Sequence, residues 1–218
     1  MKNTIIFDLD GTLLDTLEDL HNSVNFALSK YGYKERTLDE IRTFVGNGVK
    51  VLIEKALPNY INKEEFDKVF NAFKEHYSKN CNVKTKPYDD IIKIIKILKN
   101  KKYKVAVVSN KSDREVQNLT KIYFDGLVDV AVGQSDDIRK KPYPDEVFKA
   151  LNILNSNEEE SIYIGDSEVD VLTAKNSNLD LIAVLWGFRD ENQLRDSGAK
   201  ILVEKPEEIL GVIEKYNE

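Results

Sequence analysis

The fold is decided by residues 4–12, which read Thr4-Ile-Ile-Phe-Asp8-Leu-Asp10-Gly11-Thr12. Four apolar or β-prone residues run directly into two aspartates one residue apart, and Gly-Thr closes the run. The run is too short for an ordinary helix, its β-branched and aromatic residues favour a strand, and Gly11 breaks it. The sequence therefore predicts a strand that carries two carboxylates, Asp8 and Asp10, at its C-terminal end.

A pair of acids at such a strand end is well placed to meet a ligand. In open parallel α/β sheets, ligands bind in the crevice beyond the carboxyl ends of the strands. Asp and Gly are also the usual residues of turns, so an acidic turn without chemistry is the alternative from this stretch alone.

Composition limits the class of protein and its partners. The 218 residues are 41% hydrophobic and 32% charged, which suits one large domain or one domain with an insertion. With 32 basic and 38 acidic residues the net charge is −6, so no general basic field attracts nucleic acid or an anionic membrane. No apolar run reaches the roughly 18 residues of a membrane span. We expect a cytoplasmic protein without a nucleic-acid or membrane partner, and the lone Cys81 cannot form an internal disulfide.

The chain divides by its periodicity into a helical block and an alternating α/β part. Apolar spacing predicts a helix over 16–31, and Thr37-x-x-Glu40 and Asn62-x-x-Glu65 have the form of helix N-terminal caps. Beyond Pro87, helical segments alternate with strand patterns. The predicted strands are 104–109, 127–132, 161–165, 181–186 and 200–203.

Strands separated by helix-length segments indicate βαβ units, hence a parallel sheet with helices on both faces. We expect an α/β core formed by residues 1–15 and 83–218, and an all-helical insertion at 16–82. An insertion that follows a strand end is expected to act as a lid, with hinges near 14–16 and 80–86.

Three further motifs follow predicted strands or turns. Ser109-Asn110-Lys111 ends a strand, where a hydroxyl and free N–H groups suit a phosphate oxygen, although a turn or cap residue is the alternative. Lys141 lies beside two prolines that stiffen its backbone, although an isolated lysine is commonly a surface residue. Gly165-Asp166 ends another strand, and Asp170, four residues on, also suits a plain helix cap.

Together these motifs predict a cation site. Asp8, Asp10 and Asp166 would converge at neighbouring strand ends, with Asp170 close by. Crowded carboxylates raise one another's pKa unless a cation lies among them, and oxygen ligands of this kind suit Mg²⁺. Both histidines, His21 and His76, fall in the helical block and fit surface positions better than zinc ligands.

With these residues in view, the chain resembles the haloacid dehalogenase-like superfamily of phosphohydrolases along its whole length. Four family motifs match in order: Asp8-x-Asp10-Gly11-Thr12, Ser109, Lys141-Pro142 and Gly165-Asp166-x-x-x-Asp170. The resemblance implies a Rossmann-like parallel sheet core with helices on both faces and an inserted helical cap. Phe44-Val-Gly-Asn-Gly48 and Trp186-Gly-Phe188 look most like the phosphoglycolate phosphatase-like subfamily.

The resemblance also implies roles for individual residues. Asp8 would attack phosphorus and form an aspartyl-phosphate, and Asp10 would carry the proton. Mg²⁺ would be held by the side chains of Asp8 and Asp166 and the backbone carbonyl of Asp10, with Asp170 acting on its waters. The phosphoryl group would be bound by Gly11, Thr12, Ser109, Asn110 and Lys141.

The implied activity is Mg²⁺-dependent hydrolysis of a small phosphorylated metabolite, such as 2-phosphoglycolate, by a monomer or homodimer. Pyrophosphate, a sugar phosphate, pyridoxal phosphate or a nucleotide are alternative substrates. Arg42, Asn47 and Lys50 are candidates for reading the leaving group, although polar residues there can simply face solvent.

Two other functions stay open at this point. Sugar phosphomutases of the same superfamily typically carry valine at the position of Thr12 and a cap histidine at that of Leu20. His21 is one position off, which turns it about 100° away on a helix. A non-catalytic binding protein would be expected to lack the nucleophile or a metal carboxylate, and none is missing here. Dehalogenases and phosphonatases lack the acid at Asp10.

Overall fold

The computed structural model describes all 218 residues as eight strands and ten helices. In chain order these are β1 (Thr4–Phe7), β2 (Leu14–Asp15), α1 (Leu17–Lys30), α2 (Leu38–Phe44), α3 (Val49–Ala56), α4 (Lys63–Asn80), β3 (Lys86–Pro87), α5 (Ile91–Asn100), β4 (Lys104–Ser112), α6 (Asp113–Phe124), β5 (Val130–Gln134), α7 (Asp145–Leu154), β6 (Ser161–Gly165), α8 (Glu168–Asn176), β7 (Asp180–Val184), α9 (Glu191–Asp196), β8 (Leu202–Val203) and α10 (Glu208–Asn217). No helix combines the length and apolar character that a membrane span requires.

A six-stranded parallel sheet forms the centre of the α/β part, in the order β5-β4-β1-β6-β7-β8. Strand β1 lies between β4 and β6 and is buried along its whole length, which explains its unbroken apolar run. Since the strands are parallel, their carboxyl ends lie at one edge. The predicted α/β fold with a parallel sheet is confirmed.

The sheet is covered by helices whose apolar faces pack on it. One cluster joins Ile6 of β1, Val108 of β4 and Tyr163 of β6 with Val147 and Leu151 of α7. All five are at least 97% buried, and each fully buried aliphatic side chain contributes about 1.5–3 kcal/mol to folding. This packing holds the ends of β1, β4 and β6 next to one another.

The chain forms two compact units. The first comprises Met1–Leu14 with Pro87–Glu218, and the second comprises Asp15–Lys86. Strands β2 and β3, where the chain passes from one unit to the other, pair as a separate two-stranded sheet. The second passage lies after the sequence-based boundary at residue 82, because the backbone N–H groups of Lys84 and Thr85 bind Asp19 of α1.

The second unit is helical, and α1, α2 and α4 begin at or next to the predicted starts. Thr37 and Asn62 cap α2 and α4, and in each capping box the glutamate three residues on binds back to the cap residue. Helix α4 buries Val69, Phe73 and Tyr77 on one face, and the last two rings stack. This stripe packs α4 against α1.

Four strands differ from their predicted bounds. Strand β4 runs to Ser112 rather than ending at residue 109. Strand β5 begins at Val130 rather than 127, because Leu127 and Val128 donate to the carbonyl of Phe124 and close α6. Strand β7 spans Asp180–Val184, and only Leu202–Val203 of the segment 200–203 pairs in the sheet. Residues after Val184 are instead drawn into the loop that carries Trp186.

Candidate functional site

The three central strands bring the sequence-predicted acidic residues together at one edge of the sheet. Asp8 directly follows β1, and Asp166 directly follows β6, which pairs with it. Asp170 lies in the first turn of α8, whose N-cap is Ser167. Ser109 lies in β4 on the other side of β1. The site is therefore built by adjacency in the sheet from residues far apart in sequence.

Three carboxylates form a buried cluster at this edge. One oxygen each of Asp8, Asp166 and Asp170 lies within 4.8 Å of the others, and these residues are 7%, 1% and 1% exposed. Burial raises the pKa of Asp8 to about 7, with Lys141 opposing the rise and Asp170 adding to it. Burial, followed by the charges of Asp170 and Asp8, raises the pKa of Asp166 well above its usual range. A positive charge placed among these carboxylates would therefore stabilise their ionised forms.

Lys141 supplies part of that charge. Its Nζ donates to Asp8 Oδ1 at 2.7 Å, to Asp170 Oδ1 at 2.9 Å and to the Tyr163 hydroxyl at 2.9 Å. Burial acts to lower the pKa of Lys141, but the charges of Asp170 and Asp8 outweigh it and raise the pKa well above its usual value. Lys141 is thus a fully buried, charged lysine that connects two of the three acids.

The acids are held in place by short-range hydrogen bonds. Ser167 donates to Asp170 Oδ2 from its hydroxyl at 2.6 Å and from its N–H at 3.1 Å. Asp166 accepts from the N–H of Phe188 at 2.7 Å and from the hydroxyl of Thr12 at 3.2 Å. Asp170 is thus fixed by two donors of one residue, and Asp166 by donors from two separate loops, so each carboxylate has one preferred orientation.

Two glycines allow the backbone to approach Asp166. A Cβ on either Gly11 or Gly187 would overlap the side chain of Asp166. Gly11 also has φ +91°, a conformation that other residues rarely adopt. The glycine in the Asp-x-Asp-Gly-Thr motif is therefore required by the packing around Asp166 as well as by its turn.

The side chain of Asp10 lies apart from the cluster, in an ion pair with Lys111. Lys111 Nζ is 2.9 Å from each carboxylate oxygen of Asp10. Lys111 is a site residue that the sequence analysis did not select. The pairing register of β4 with β5 shifts between Ser109 and Ser112, so strand alternation alone does not place the Lys111 side chain.

The other predicted phosphate ligands have partners within the protein. Asn110 donates its amide to the carbonyl of Lys141 at 3.1 Å, and the hydroxyl of Ser109 accepts from the N–H of Lys111 at 3.3 Å. Thr12 accepts the indole N–H of Trp186 on its carbonyl at 3.0 Å. Their phosphate-binding roles stay predictions, while their contacts within the protein fix the loops around Asp8 and Lys141.

Two further residues near the cluster were missed from sequence. Arg189 is buried and pairs with Glu168 through its Nε at 2.7 Å, joining the loop after β7 to the start of α8. Glu146, in the first turn of α7, is fully buried, and neither of its oxygens has a hydrogen-bond partner. Burial raises its pKa to about 7 against the opposing charge of Lys141. No local pattern distinguishes either residue from a surface acid or base.

The donor set fits a hard divalent cation. Three buried carboxylates offer only oxygen ligands, no histidine or cysteine belongs to the group, and mutual repulsion favours a bound cation. Asp8 and Asp166, the two predicted side-chain ligands, are both members, and Asp170 is the third.

The predicted specificity residues all lie in the second unit. Arg42 is in α2 and is exposed, Asn47 is half-buried between α2 and α3, and Lys50 is exposed in α3, 4.0 Å from Glu54. Their role in reading a leaving group stays a prediction.

Comparison with known proteins was consistent across sequence and structure. Residues 5–184 match the model of the haloacid dehalogenase-like hydrolases. The phosphoglycolate phosphatase of Aquifex aeolicus is 36% identical over 84% of this chain and 85% of its own length. The pyrophosphatase PpaX of Bacillus cereus is 25% identical over 99% of this chain and 98% of its own.

Solved structures show the same architecture. The crystal structure of a protein from Lactobacillus delbrueckii subsp. bulgaricus is 36% identical and superposes with a TM-score of 0.93, covering 98% of this chain and 99% of the other. The similarity therefore spans both the α/β part and the helical insertion.

Proposed function

We propose that this chain, which belongs to the haloacid dehalogenase-like hydrolases and is a phosphatase, hydrolyses a small phosphomonoester with Mg²⁺ through an aspartyl-phosphate on Asp8. The observation that carries the proposal is the buried group of Asp8, Asp166 and Asp170, in which Lys141 connects Asp8 with Asp170. A nucleophile, a lysine for phosphoryl charge and an oxygen-only cation site are the parts that phosphoryl transfer requires.

In the first step, one oxygen of Asp8 attacks phosphorus while the bond from phosphorus to the leaving oxygen breaks. Asp10 acts as the general acid that gives a proton to that oxygen, and the phosphoryl group remains on Asp8. In the second step, Asp10 takes a proton from a water whose oxygen attacks the same phosphorus. The bond to Asp8 then breaks and inorganic phosphate is released.

Lys141 orients the nucleophile and stabilises the transferred group. Its contact with Asp8 Oδ1 holds the carboxylate in one rotamer, and its buried charge acts strongly on phosphoryl oxygens bound beside it. Bound Mg²⁺, held by Asp8 and Asp166, would offset the negative charge of both the carboxylates and the phosphoryl oxygens. Thr12 and Phe188 keep Asp166 aimed for that role.

The proposed substrate is 2-phosphoglycolate. The phosphoglycolate phosphatase from Aquifex aeolicus supports it, while the pyrophosphatase PpaX supports pyrophosphate as the second candidate. We extend the proposal to a cytoplasmic enzyme that acts on a small metabolite as a monomer or homodimer. A sugar phosphate, pyridoxal phosphate or nucleotide remain alternatives, with a phosphomutase or a non-catalytic binding protein behind them.

A substrate panel tests the proposal. Purified protein with Mg²⁺ is assayed for phosphate release from p-nitrophenyl phosphate, 2-phosphoglycolate, pyrophosphate, a sugar phosphate, pyridoxal phosphate and a nucleotide, with Asp8→Asn as the blank. We expect release that depends on Asp8, and the highest kcat/KM on 2-phosphoglycolate. Inactivity on every compound would refute the hydrolase, and a clear preference for another compound would refute the substrate.

A further inference from the structure

The ion pair of Lys111 and Asp10 contains a buried positive charge, that of Lys111, which has no role in the proposed chemistry. The Lys111 side chain is only 2% exposed, while Asp10 is 15% exposed and forms the open side of the pair. Glu115, in the first turn of α6, lies near both. Burial raises the pKa of Glu115, Lys111 opposes the rise and Asp10 adds to it. The buried ammonium of Lys111 therefore lies near two acids, Glu115 and the proposed proton carrier Asp10.

The proposed reaction places the leaving group close to this cation. An oxygen that takes a proton from Asp10 lies about 2.6–3.2 Å from a carboxylate oxygen of Asp10. Both of those oxygens are 2.9 Å from Lys111 Nζ. The leaving oxygen is therefore within about 6 Å of the ammonium, and a group one or two bonds further along the leaving group can lie closer to it.

The charge of the leaving group determines whether Lys111 can stabilise it. Three buried carboxylates, those of Asp8, Asp166 and Asp170, lie at the proposed phosphoryl position and repel a second anion. Lys141 is already committed to Asp8 and Asp170. A leaving group that carries its own carboxylate or phosphate therefore needs a further cation, whereas a neutral alcohol does not.

We propose that Lys111 is a specificity residue that binds an anionic group on the leaving group, so that this enzyme prefers phosphate esters and anhydrides whose leaving group is itself an anion. The inference rests on the proposed function and deepens it. A carboxylate and a phosphate share this chemistry, and glycolate and inorganic phosphate are leaving groups that carry one or the other.

The test compares substrates that differ in leaving-group charge. The kcat/KM values for 2-phosphoglycolate, pyrophosphate and ethyl phosphate, whose leaving group is neutral, are measured with saturating Mg²⁺. Lys111→Met is compared with wild type, with Lys111→Arg as the charge-retaining variant. Lys121→Met is the matched control, because it makes the same change at an exposed lysine in α6, the helix after the strand that contains Lys111.

We expect wild type to prefer 2-phosphoglycolate to ethyl phosphate, and Lys111→Met to lower that ratio by about 10- to 100-fold, which is the range for a lost charge-assisted hydrogen bond. Lys111→Arg should restore most of the ratio, and Lys121→Met should leave it unchanged. The larger fall, on 2-phosphoglycolate or on pyrophosphate, identifies which anion Lys111 binds.

Equal losses on charged and neutral substrates would overturn the inference, because Lys111 would then act only through Asp10. A wild-type enzyme that does not distinguish the substrates would also overturn it. If circular dichroism shows that Lys111→Met does not fold, Lys111→Gln replaces it, because glutamine keeps a hydrogen-bond donor without the charge. The same ratio of kcat/KM for 2-phosphoglycolate to that for ethyl phosphate is then measured. Hydrolysis of ethyl phosphate alone would overturn this inference and the proposed substrate but leave the proposed hydrolase standing, whereas inactivity on all three substrates would remove both proposals.

Discussion

Asp19 of the helical unit and Asp166 of the α/β unit are equally buried, at 2% and 1% exposed, but their surroundings differ. Asp19 accepts hydrogen bonds only from neutral donors, namely the N–H groups of Lys84 and Thr85 and the hydroxyl of Thr85, at 2.8–3.0 Å. Asp166 also has neutral donors, but it shares its space with two further carboxylates.

The difference teaches that burial alone does not make a carboxylate functional. A buried acid whose oxygens are saturated by neutral donors contributes to the structure, since its charge is already stabilised. A buried acid beside other acids depends on a cation or a proton, and that dependence is what chemistry can use. Substitutions of Asp19 and of an acid in the cluster, such as Asp8, are therefore expected to have different effects.

Asp8→Asn is expected to have the largest effect, on activity rather than on folding. The amide cannot act as the nucleophile, so kcat with p-nitrophenyl phosphate should fall by at least about 10⁴-fold. The fold should remain, because loss of one contact to Lys141 is opposed by relief of repulsion from Asp166 and Asp170. Phosphate release and urea denaturation measure the two quantities.

The matched variant is Asp19→Asn, which makes the same chemical change in the helical unit. It should retain the wild-type kcat under conditions where the protein is folded. A kcat that falls equally in both variants would break the distinction between a structural and a catalytic buried acid.

Asp19→Ala should show the opposite pattern, with a loss of stability. Truncation leaves the N–H and hydroxyl of Thr85 and the N–H of Lys84 without their acceptor, so the free energy of unfolding should fall by about 4 kcal/mol. Urea denaturation followed by circular dichroism measures the change. A loss below about 1 kcal/mol would mean that water readily replaces the carboxylate.

Glu146 is a third kind of buried acid, because neither oxygen has a hydrogen-bond partner. Burial raises its pKa from an ordinary 4.5 to about 7, so the native state holds this proton more tightly than the unfolded state. The free energy of unfolding should therefore fall as pH rises from about 4.5 to about 7, by about 3 kcal/mol from this group.

Glu146→Gln removes that titration and leaves the other groups in place. The difference in unfolding free energy between the variant and wild type should shift in favour of the variant as pH rises through the same window. Urea denaturation of metal-free protein at pH 5 and pH 8 measures it. A difference that does not change with pH would show that Glu146 is already ionised in the folded protein at pH 5.

Mg²⁺ should stabilise the protein through the carboxylate cluster. At a concentration 100 times its Kd, the ion adds about 2.7 kcal/mol to the free energy of unfolding. Calorimetric melting with Mg²⁺ and with a chelator should show the shift in wild type and lose most of it in Asp166→Asn. Asp136→Asn, at an exposed position, is the control. A full shift in Asp166→Asn would place the ion elsewhere.

The sequence predicted the positions of the acids well because the information is local. An apolar run that ends in Asp-x-Asp or Gly-Asp identifies a strand end, and the parallel sheet then brings β1 and β6 side by side. Helix starts at Thr37 and Asn62 were predicted for the same reason, since a capping box lies within four residues.

The remaining features depend on contacts that no local pattern contains. Lys111 and Asp10 are 101 positions apart, and nothing in either segment identifies the partner. The acceptors of Asn110 and Thr12 depend on which loops pack beside them. Strand β5 was predicted too early because Leu127 and Val128 are apolar, although their N–H groups close α6.

Trp186, which donates to the carbonyl of Thr12, is the only tryptophan among the 218 residues. Its neighbour Gly187 packs directly on Asp166. All indole emission from the protein therefore comes from a residue whose chain neighbour contacts the carboxylate cluster. The helical unit contains no tryptophan and contributes none. Cation binding to the cluster is therefore expected to change the intrinsic fluorescence of Trp186, which can be measured without an added label.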